Sequence, residues 1–578
     1  MNIIEVLLFV IAVVGVIGLG IWKSRDEELK SEHGATDYFL AGRGLTWWLV
    51  GFSLIAANIS TEQFVGMSGA SANWLGMAIA SYEWMAAVTL IVVAFWFLPK
   101  FLKAGLYTIP EFLQYRFDGV ARLAMAIPAI VTLVFVTTSS VIFSGGKFVS
   151  EYYHDVPILN NLTAVCWLIA IFAAVYVFVG GLKACAWTDL IWGAALIVGG
   201  AIVMYLAFAH LAEKSAEELI LTKVQNSAAT VQDLEGAGAW ERFMLLNDGV
   251  DGEAVAVDGP NGSGGKVHMV RPKEDTDIPW TALLIGLWIP NFFYWGLNQY
   301  IVQRTLGSKS LAEGQKGIVF AAVLKLLIPF VVVIPGILAY NLFQGDLFNA
   351  ATGGYDYDRA FPVLVRNLIK PLPLLSWFVL AALCGAVISS LASMLNSAST
   401  IATMDLYSKF SGVKDQAKLV KVGRGFVVLF VLLAALVAPS LDNFTSIFAY
   451  IQEFQGFISP GILAVFIFGF FSPRTPRYFG AVGIGINVMA YGFFKWFGGP
   501  FLVERGWWYA DQIAFLDRMA ICFFIVLLAG GLLTLIRPMK APVVLPVNDQ
   551  ICLESSKGAK IIGIGVVLAT VGLYAFFW

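Results

Sequence analysis

Runs of about twenty apolar residues recur along the chain, parted by short polar connections, and each is long enough to cross a bilayer as a helix. About fourteen such spans are predicted, near 3–22, 46–70, 75–98, 121–149, 160–180, 185–210, 279–302, 314–343, 374–406, 422–440, 443–472, 478–497, 518–536 and 559–577. The first holds Glu5 and lacks a basic leader, so it reads as a retained span, not a cleaved signal. The pattern fails most clearly at Ser53-Leu54-Ile55-Ala56-Ala57-Asn58-Ile59-Ser60-Thr61-Glu62-Gln63-Phe64, inside the second span. A polar group stranded in hydrocarbon costs roughly 2–7 kcal/mol, so these side chains must face protein, water or a solute. A second interruption is expected in the seventh span, at Trp288-Ile289-Pro290-Asn291, where proline removes a backbone donor. Both spans open successive five-span groups, 46–210 and 279–472, and paired broken helices point to an inverted-repeat transporter with its site at the bilayer midplane.

Composition agrees with a polytopic membrane protein: 578 residues, 59% hydrophobic and only 13% charged. The net charge of −2 gives no ground for a nucleic-acid partner. Five cysteines lack paired spacing and read as small buried hydrophobes. One alternating set of loops is rich in Lys and Arg, among them Lys23, Arg25, Lys30 and Arg43, then Lys100, Lys103 and Arg116, then Arg304, Lys309 and Lys316. The positive-inside rule makes that set cytoplasmic and puts both termini outside. The polar insert 211–278 then lies outside; its start, Leu211 to Val224, could form an amphipathic helix, and the remainder, including the Gly-rich 258–265, reads as loop. The other expected units are 1–45, an extra helix with a cytoplasmic loop, and 473–578, the C-terminal flanking helices.

Several polar groups inside spans could carry chemistry. Lys325 and Glu83 are intramembrane ionisable residues, functional candidates by default. Ala386, Ser389 and Ser390 share one helix face by their spacing. With carbonyls freed at Ala56 and Ile59, they could form a neutral cage of hard oxygens suited to Na⁺. Asn291, Tyr294, Trp295, Asn298 and Gln299 line the second expected break, and Tyr450-Ile451-Gln452-Glu453-Phe454-Gln455 is expected to interrupt a further span. Amides and carboxylates match sugar hydroxyls, and an aromatic face covers the C–H side of a pyranose. The chain has no H-E-x-x-H, no phosphate-binding Gly-x-x-x-x-Gly-Lys and only four His, so no enzyme is indicated and the driving energy must be a gradient.

At these residues the chain closely resembles the solute:sodium symporter family, and within it the bacterial SGLT-type sodium/galactose symporters. The segments that carry the likeness are Asp37-Tyr-Phe-Leu-Ala-Gly-Arg43, Ser53 to Ser60, Ala80-Ser-Tyr-Glu-Trp84, Tyr294-Trp-Gly-Leu-Asn-Gln-Tyr300, Gln303-Arg-Thr305, Ser389 to Ser397 and Ser459-Pro-Gly-Ile-Leu463. The resemblance implies an all-α integral membrane protein of LeuT-type fold, with two inverted five-helix repeats and flanking helices. It implies a sugar site at Gln63, Glu83, Asn291, Lys325 and Gln452, with Tyr294 as inner gate and Trp295 beside it. Met67, Tyr82 and Phe448 would form the outer gate. Sodium, the co-transported ion, would bind the carbonyls of Ala56, Ile59 and Ala386 and the hydroxyls of Ser389 and Ser390, and Asp189 would assist its release inward. Ala86 and Thr137 stand where the galactose pattern has Ser and Asn, which leaves the choice among galactose, glucose, another hexose or an inositol open. Ala392 and Ser393 stand where some relatives carry a second pair of hydroxyls, so one Na⁺ per solute is expected. The function implied is Na⁺-driven sugar uptake by alternating access across the cell membrane. The rival readings are symport of inositol, sialic acid or an amino acid, proton coupling through Glu83 or Asp189, or a membrane sensor or channel.

Overall fold

The computed structural model describes residues 3–25, 34–179, 181–224, 227–249, 265–350, 353–444, 446–508, 510–548 and 551–578. Lys30 and most of the 258–265 stretch lie outside them. The regular structure of the described chain is helical apart from a two-stranded antiparallel hairpin, Phe348–Asn349 against Gly354–Tyr355. In chain order the helices before the insert include α1 (Ile3–Lys23), α2 (Trp47–Asn58), α3 (Ser68–Ala72), α4 (Gly76–Ala104), α5 (Ile109–Arg116), α6 (Gly119–Tyr152), α7 (Leu162–Val179) and α8 (Leu182–Glu213). After the insert come α9 (Trp288–Leu297), α10 (Gln299–Leu306), α11 (Leu311–Leu347), α12 (Leu375–Ser411), α13 (Gln416–Asn443), α14 (Ile447–Phe471), α15 (Phe479–Phe493), α16 (Phe515–Ile536) and α17 (Lys557–Phe576). Nine helices among the described residues are long and apolar enough to cross a membrane, and four more apolar helices are shorter.

The core is built around α11, which lies against α2, α4 and α8, while α8 also packs on α12. Small residues permit these close crossings. A Cβ at Gly51 would stand 2.9 Å from the Gly317 carbonyl, and one at Gly336 would stand 2.2 Å from the Ser68 carbonyl. The turn into α4 needs glycine for a different reason: Gly76 has φ +51°, and a side chain there would meet the Lys266 backbone at 2.1 Å.

The second span breaks where its polar stretch predicts. α2 ends at Asn58, Ile59 is extended (φ −86°, ψ 103°), and the chain then enters a wide π-turn, Gln63–Met67, leading into α3. The break is stabilised locally. The Ser60 amide donates to Gln63 Oε1 at 2.9 Å, the backward half of a capping box. The Ala56 carbonyl accepts from the Ser390 hydroxyl at 3.3 Å.

Three expectations need correction. Pro290 does not break the seventh span: it sits in the first turn of α9, where a missing donor is tolerated. A π-turn at Ala282–Gly286 precedes it, and the helix ends eight residues later at Asn298, which is extended (ψ 123°). Nor do residues 450–455 interrupt a span, because they are early turns of the continuous α14. The insert is not loop after Val224: helices form at Val231–Gly236, which carries a full capping box from Thr230 and Asp233, and at Ala239–Asn247. Within Leu211 to Val224 only short helical turns, Ala216–Leu219 and Ile220–Thr222, follow the end of α8.

Candidate solute and sodium site

The break in α2 and the approach of α4, α9, α11 and α14 border a cavity of about 70 Å³. Every expected solute residue lines it: Gln63, Glu83, Asn291, Tyr294, Trp295, Lys325 and Gln452. So do the expected gate residues Met67, Tyr82 and Phe448. Tyr82 and Phe448 meet edge to face with ring centroids 4.9 Å apart, which narrows one end. Tyr294 and Trp295 meet at 5.1 Å at another wall.

Lys325 is fully buried and donates to both Glu83 and Asn58. Its ammonium also stands 4.8 Å from the centroid of the Trp295 ring, a cation–π contact. The Asn58 amide donates in turn to the Tyr294 hydroxyl at 2.9 Å. Asn291 uses its amide nitrogen on the Leu287 carbonyl at 2.9 Å, which leaves its oxygen as the acceptor. Glu62 and Gln452 line the same cavity, and Glu62 Oε2 and Gln452 Oε1 are buried oxygens without a hydrogen-bond donor among the described residues. Unpaired buried acceptors are costly, so a cavity that keeps them is prepared for a ligand that brings donors.

Asn58 and Glu62 were not singled out as solute contacts from the sequence, although both belong to the polar stretch that breaks the second span. Ala86 and Thr137 do not line the cavity. Thr137 instead donates to the Leu133 carbonyl of its own helix at 3.0 Å.

Beside the break, Ala56, Ile59, Ala386, Ser389 and Ser390 are all buried. Ser390 reaches the Ala56 carbonyl, and the Ser389 hydroxyl donates to Asp189. α8 packs directly behind this contact between α2 and α12: a Cβ on Gly193 would stand 3.1 Å from that of Ala56. Asp189 also accepts from the Ser53 hydroxyl and pairs with Arg304 at 3.2 Å. This corrects the loop reading of Arg304. It is fully buried on α10, bonded to Ser53, Tyr300, Asp189 and Ser393, and contributes no charge to a loop surface. Arg116 is likewise buried, donating to the Ser472 carbonyl. A lysine- or arginine-rich sequence between spans does not reveal which cations turn inward.

The chain is 38% identical to the sodium/glucose cotransporter of Vibrio parahaemolyticus, over 100% of this chain and 99% of that protein. It is 31% identical to sodium/myo-inositol cotransporter 2 of Sus scrofa, over 80% of this chain and 65% of that one. Its fold matches a Na⁺-coupled sialic acid symporter solved in a substrate-bound outward-open state, with a TM-score of 0.71, 20% identity, and coverage of 94% of this chain and 99% of that one. The architecture is therefore the LeuT-type fold expected, and Na⁺ is the co-transported ion. The sodium:solute symporter model matches residues 38–485, and the chain belongs to that family.

Proposed function

We propose that the protein couples inward movement of one Na⁺ to the uptake of a neutral hexose, glucose- or galactose-like, by alternating access. The observation that carries the solute class is the pair of donor-less oxygens, on Glu62 and Gln452, in a cavity that also offers the Lys325 ammonium and an aromatic wall. A polyol supplies hydroxyls that donate to those oxygens and accept from Lys325, while its C–H face lies on Tyr294 or Trp295. The charged groups of the lining are the Glu83 carboxylate and the Lys325 ammonium, which already pair with each other. An anionic solute such as sialic acid would add a further negative charge to that set, which disfavours it. A cyclitol is the second reading, since it presents the same ring of hydroxyls and one relative is a sodium/myo-inositol cotransporter.

Na⁺ would bind between the α2 break and α12, at the carbonyls of Ala56, Ile59 and Ala386 and the hydroxyls of Ser389 and Ser390, with Asp189 behind them as the release group. Binding there would favour the outward-open state; an ion with equal affinity for both states would drive nothing. Tyr82, Met67 and Phe448 would close over the solute, and Tyr294 would close beneath it. The two repeats would be 46–210 and 279–472, in a cell membrane with both termini outside. The test is uptake of radiolabelled D-glucose, D-galactose, myo-inositol and sialic acid into proteoliposomes with and without an inward Na⁺ gradient. Gradient-driven accumulation of a neutral sugar supports the reading, whereas uptake of every solute that ignores Na⁺, or a preference for sialic acid, rejects it.

A further inference from the structure

The solute cavity and the sodium face are joined by an unbroken run of polar contacts that the transport reading does not require. On the cavity side, Lys325 donates to Asn58, and Asn58 donates to the Tyr294 hydroxyl. Tyr294 then accepts from the hydroxyl of Tyr300, the second residue of α10. One turn further along α10, the Arg304 guanidinium reaches back to the Tyr300 carbonyl and across to Asp189, which receives the hydroxyl of Ser389 on the sodium face. Arg304 also bonds the Ser53 carbonyl of α2 at 3.0 Å.

Two features make α10 able to carry a signal. It is a short eight-residue helix, cut from α9 by extended Asn298, so it can shift as a unit. Its polar contacts are also dry: Tyr300, Arg304, Asp189 and Ser389 are all fully buried. Water cannot replace a bond lost in such a place, so movement at one end is resisted or passed on rather than absorbed. Coupling along such a run needs one element that both ends bias, and here that element is α10.

We propose that Tyr300 is a positioning residue for coupling: its hydroxyl, carried on α10 with Arg304, ties the gate tyrosine Tyr294 to the sodium face. Sodium held by Ser389 and its neighbours fixes Asp189 and Arg304, hence α10, hence the hydroxyl that holds Tyr294 against Asn58. The proposal rests on the sodium and gate assignments above but not on which solute is carried.

The test reads sodium's effect on the cavity without any solute. Gln455 lines the cavity, and a Gln455→Cys thiol, in a protein whose exposed Cys552 is replaced by Ser, reports access by its rate of modification with a charged methanethiosulfonate. In the reconstituted full chain, saturating Na⁺ is expected to change that rate by at least about fivefold relative to choline. Tyr300→Phe keeps the ring, which meets Tyr294 edge to face at 5.6 Å, and removes only the hydroxyl. The sodium effect is expected to fall to within about twofold of none. Tyr294→Phe, which removes the same bond from its other side, should do likewise. Tyr115→Phe deletes a tyrosine hydroxyl elsewhere, bonded to Glu111 at 2.7 Å, and should leave the sodium effect intact. A second arm measures binding of tritiated D-glucose, D-galactose and myo-inositol. If none binds, the solute reading fails while the thiol arm still judges Tyr300. A Tyr300→Phe protein that keeps the full sodium effect overturns the proposal, and so does a parent whose labelling ignores sodium, because there is then no signal to carry.

Discussion

Lys325 and Glu83 form an ion pair buried well inside the helix bundle, and the consequence of cutting it depends on which charge is left behind. Lys325→Ala strands the Glu83 carboxylate, and breaking a buried pair from one side typically costs about 3–5 kcal/mol. The double variant Lys325→Ala/Glu83→Gln should recover most of that stability, since no unpaired charge remains, yet should not recover transport because the cavity has lost its ammonium donor. Thermal unfolding in detergent reads the first effect and proteoliposome uptake the second; a double variant as unstable as the single would show that the cost lies in packing, not charge. Ser390→Ala acts on the ion instead. It removes one of two hydroxyls from the proposed sodium cage, and a contact to a charged group contributes about 1.5–3 kcal/mol, so the Na⁺ concentration for half-maximal uptake should rise about 10- to 100-fold. An unchanged sodium dependence would remove Ser390 from the ligand set.

Helix termini and breaks decide where these residues stand, and one terminus carries a titratable group. Asp358, in the tight turn Tyr357–Arg359 of the connection between α11 and α12, is buried and accepts from the Ile447 amide at the start of α14 at 3.4 Å. α14 carries Phe448 and Gln452 into the cavity. Burial first, then the Asp356 carboxylate beside it, pushes Asp358 up to about 7, against the opposing pull of the Ile447 amide and the Lys147 ammonium; Asp442 adds a further upward push. An unfolded aspartate titrates near about 4. The folded state thus holds this proton more tightly, and the stability that follows is complete below about pH 4 and is lost as pH rises through about 7. Asp277, raised to about 7 mainly by burial, contributes in the same direction. Asp358→Asn keeps an oxygen for the Ile447 amide but has nothing to ionise, so the fall in melting temperature between pH 5 and pH 8 should be smaller than in the parent. An identical fall would assign the dependence to other groups.

The same scale explains what could be read beforehand. The α2 break was legible because Asn58, Ser60, Thr61, Glu62 and Gln63 cannot be left in hydrocarbon, and that constraint acts on sequence alone. The break after α9 was misplaced because proline reports where a donor is missing, not where the backbone parts. The π-turn at Ala282–Gly286 has no compositional signature, and Asn298 is marked only by a ψ angle. Arg304 escaped for a related reason: its partners Asp189 and Ser393 lie far off in sequence, and only the fold brings them to it.

For the whole molecule, the decisive quantity is the charge moved per transport cycle. If one Na⁺ accompanies one neutral solute, each cycle carries a single positive charge inward. An inside-negative potential of about 100 mV contributes about 2.3 kcal/mol per charge. With equal Na⁺ on both sides, that limits accumulation to about 50-fold, since each 1.4 kcal/mol is about a factor of ten. Two Na⁺ per neutral solute would raise the ceiling to about 2,500-fold, and one Na⁺ with a monovalent anion would make the cycle electroneutral and abolish the response. The buried Arg304 favours the first case. Its guanidinium is bonded to both Asp189 and Ser393, so the carboxylate nearest the proposed sodium ligands already has its cation. Proteoliposomes with a valinomycin-clamped potassium gradient and symmetrical Na⁺ give the steady-state ratio directly. A ratio that rises with potential and saturates near the single-charge limit is expected. A ratio well above that limit would require a second coupled ion, and one indifferent to potential would mean that the solute itself carries the compensating negative charge, against the already paired Glu83 and Lys325 in the cavity wall.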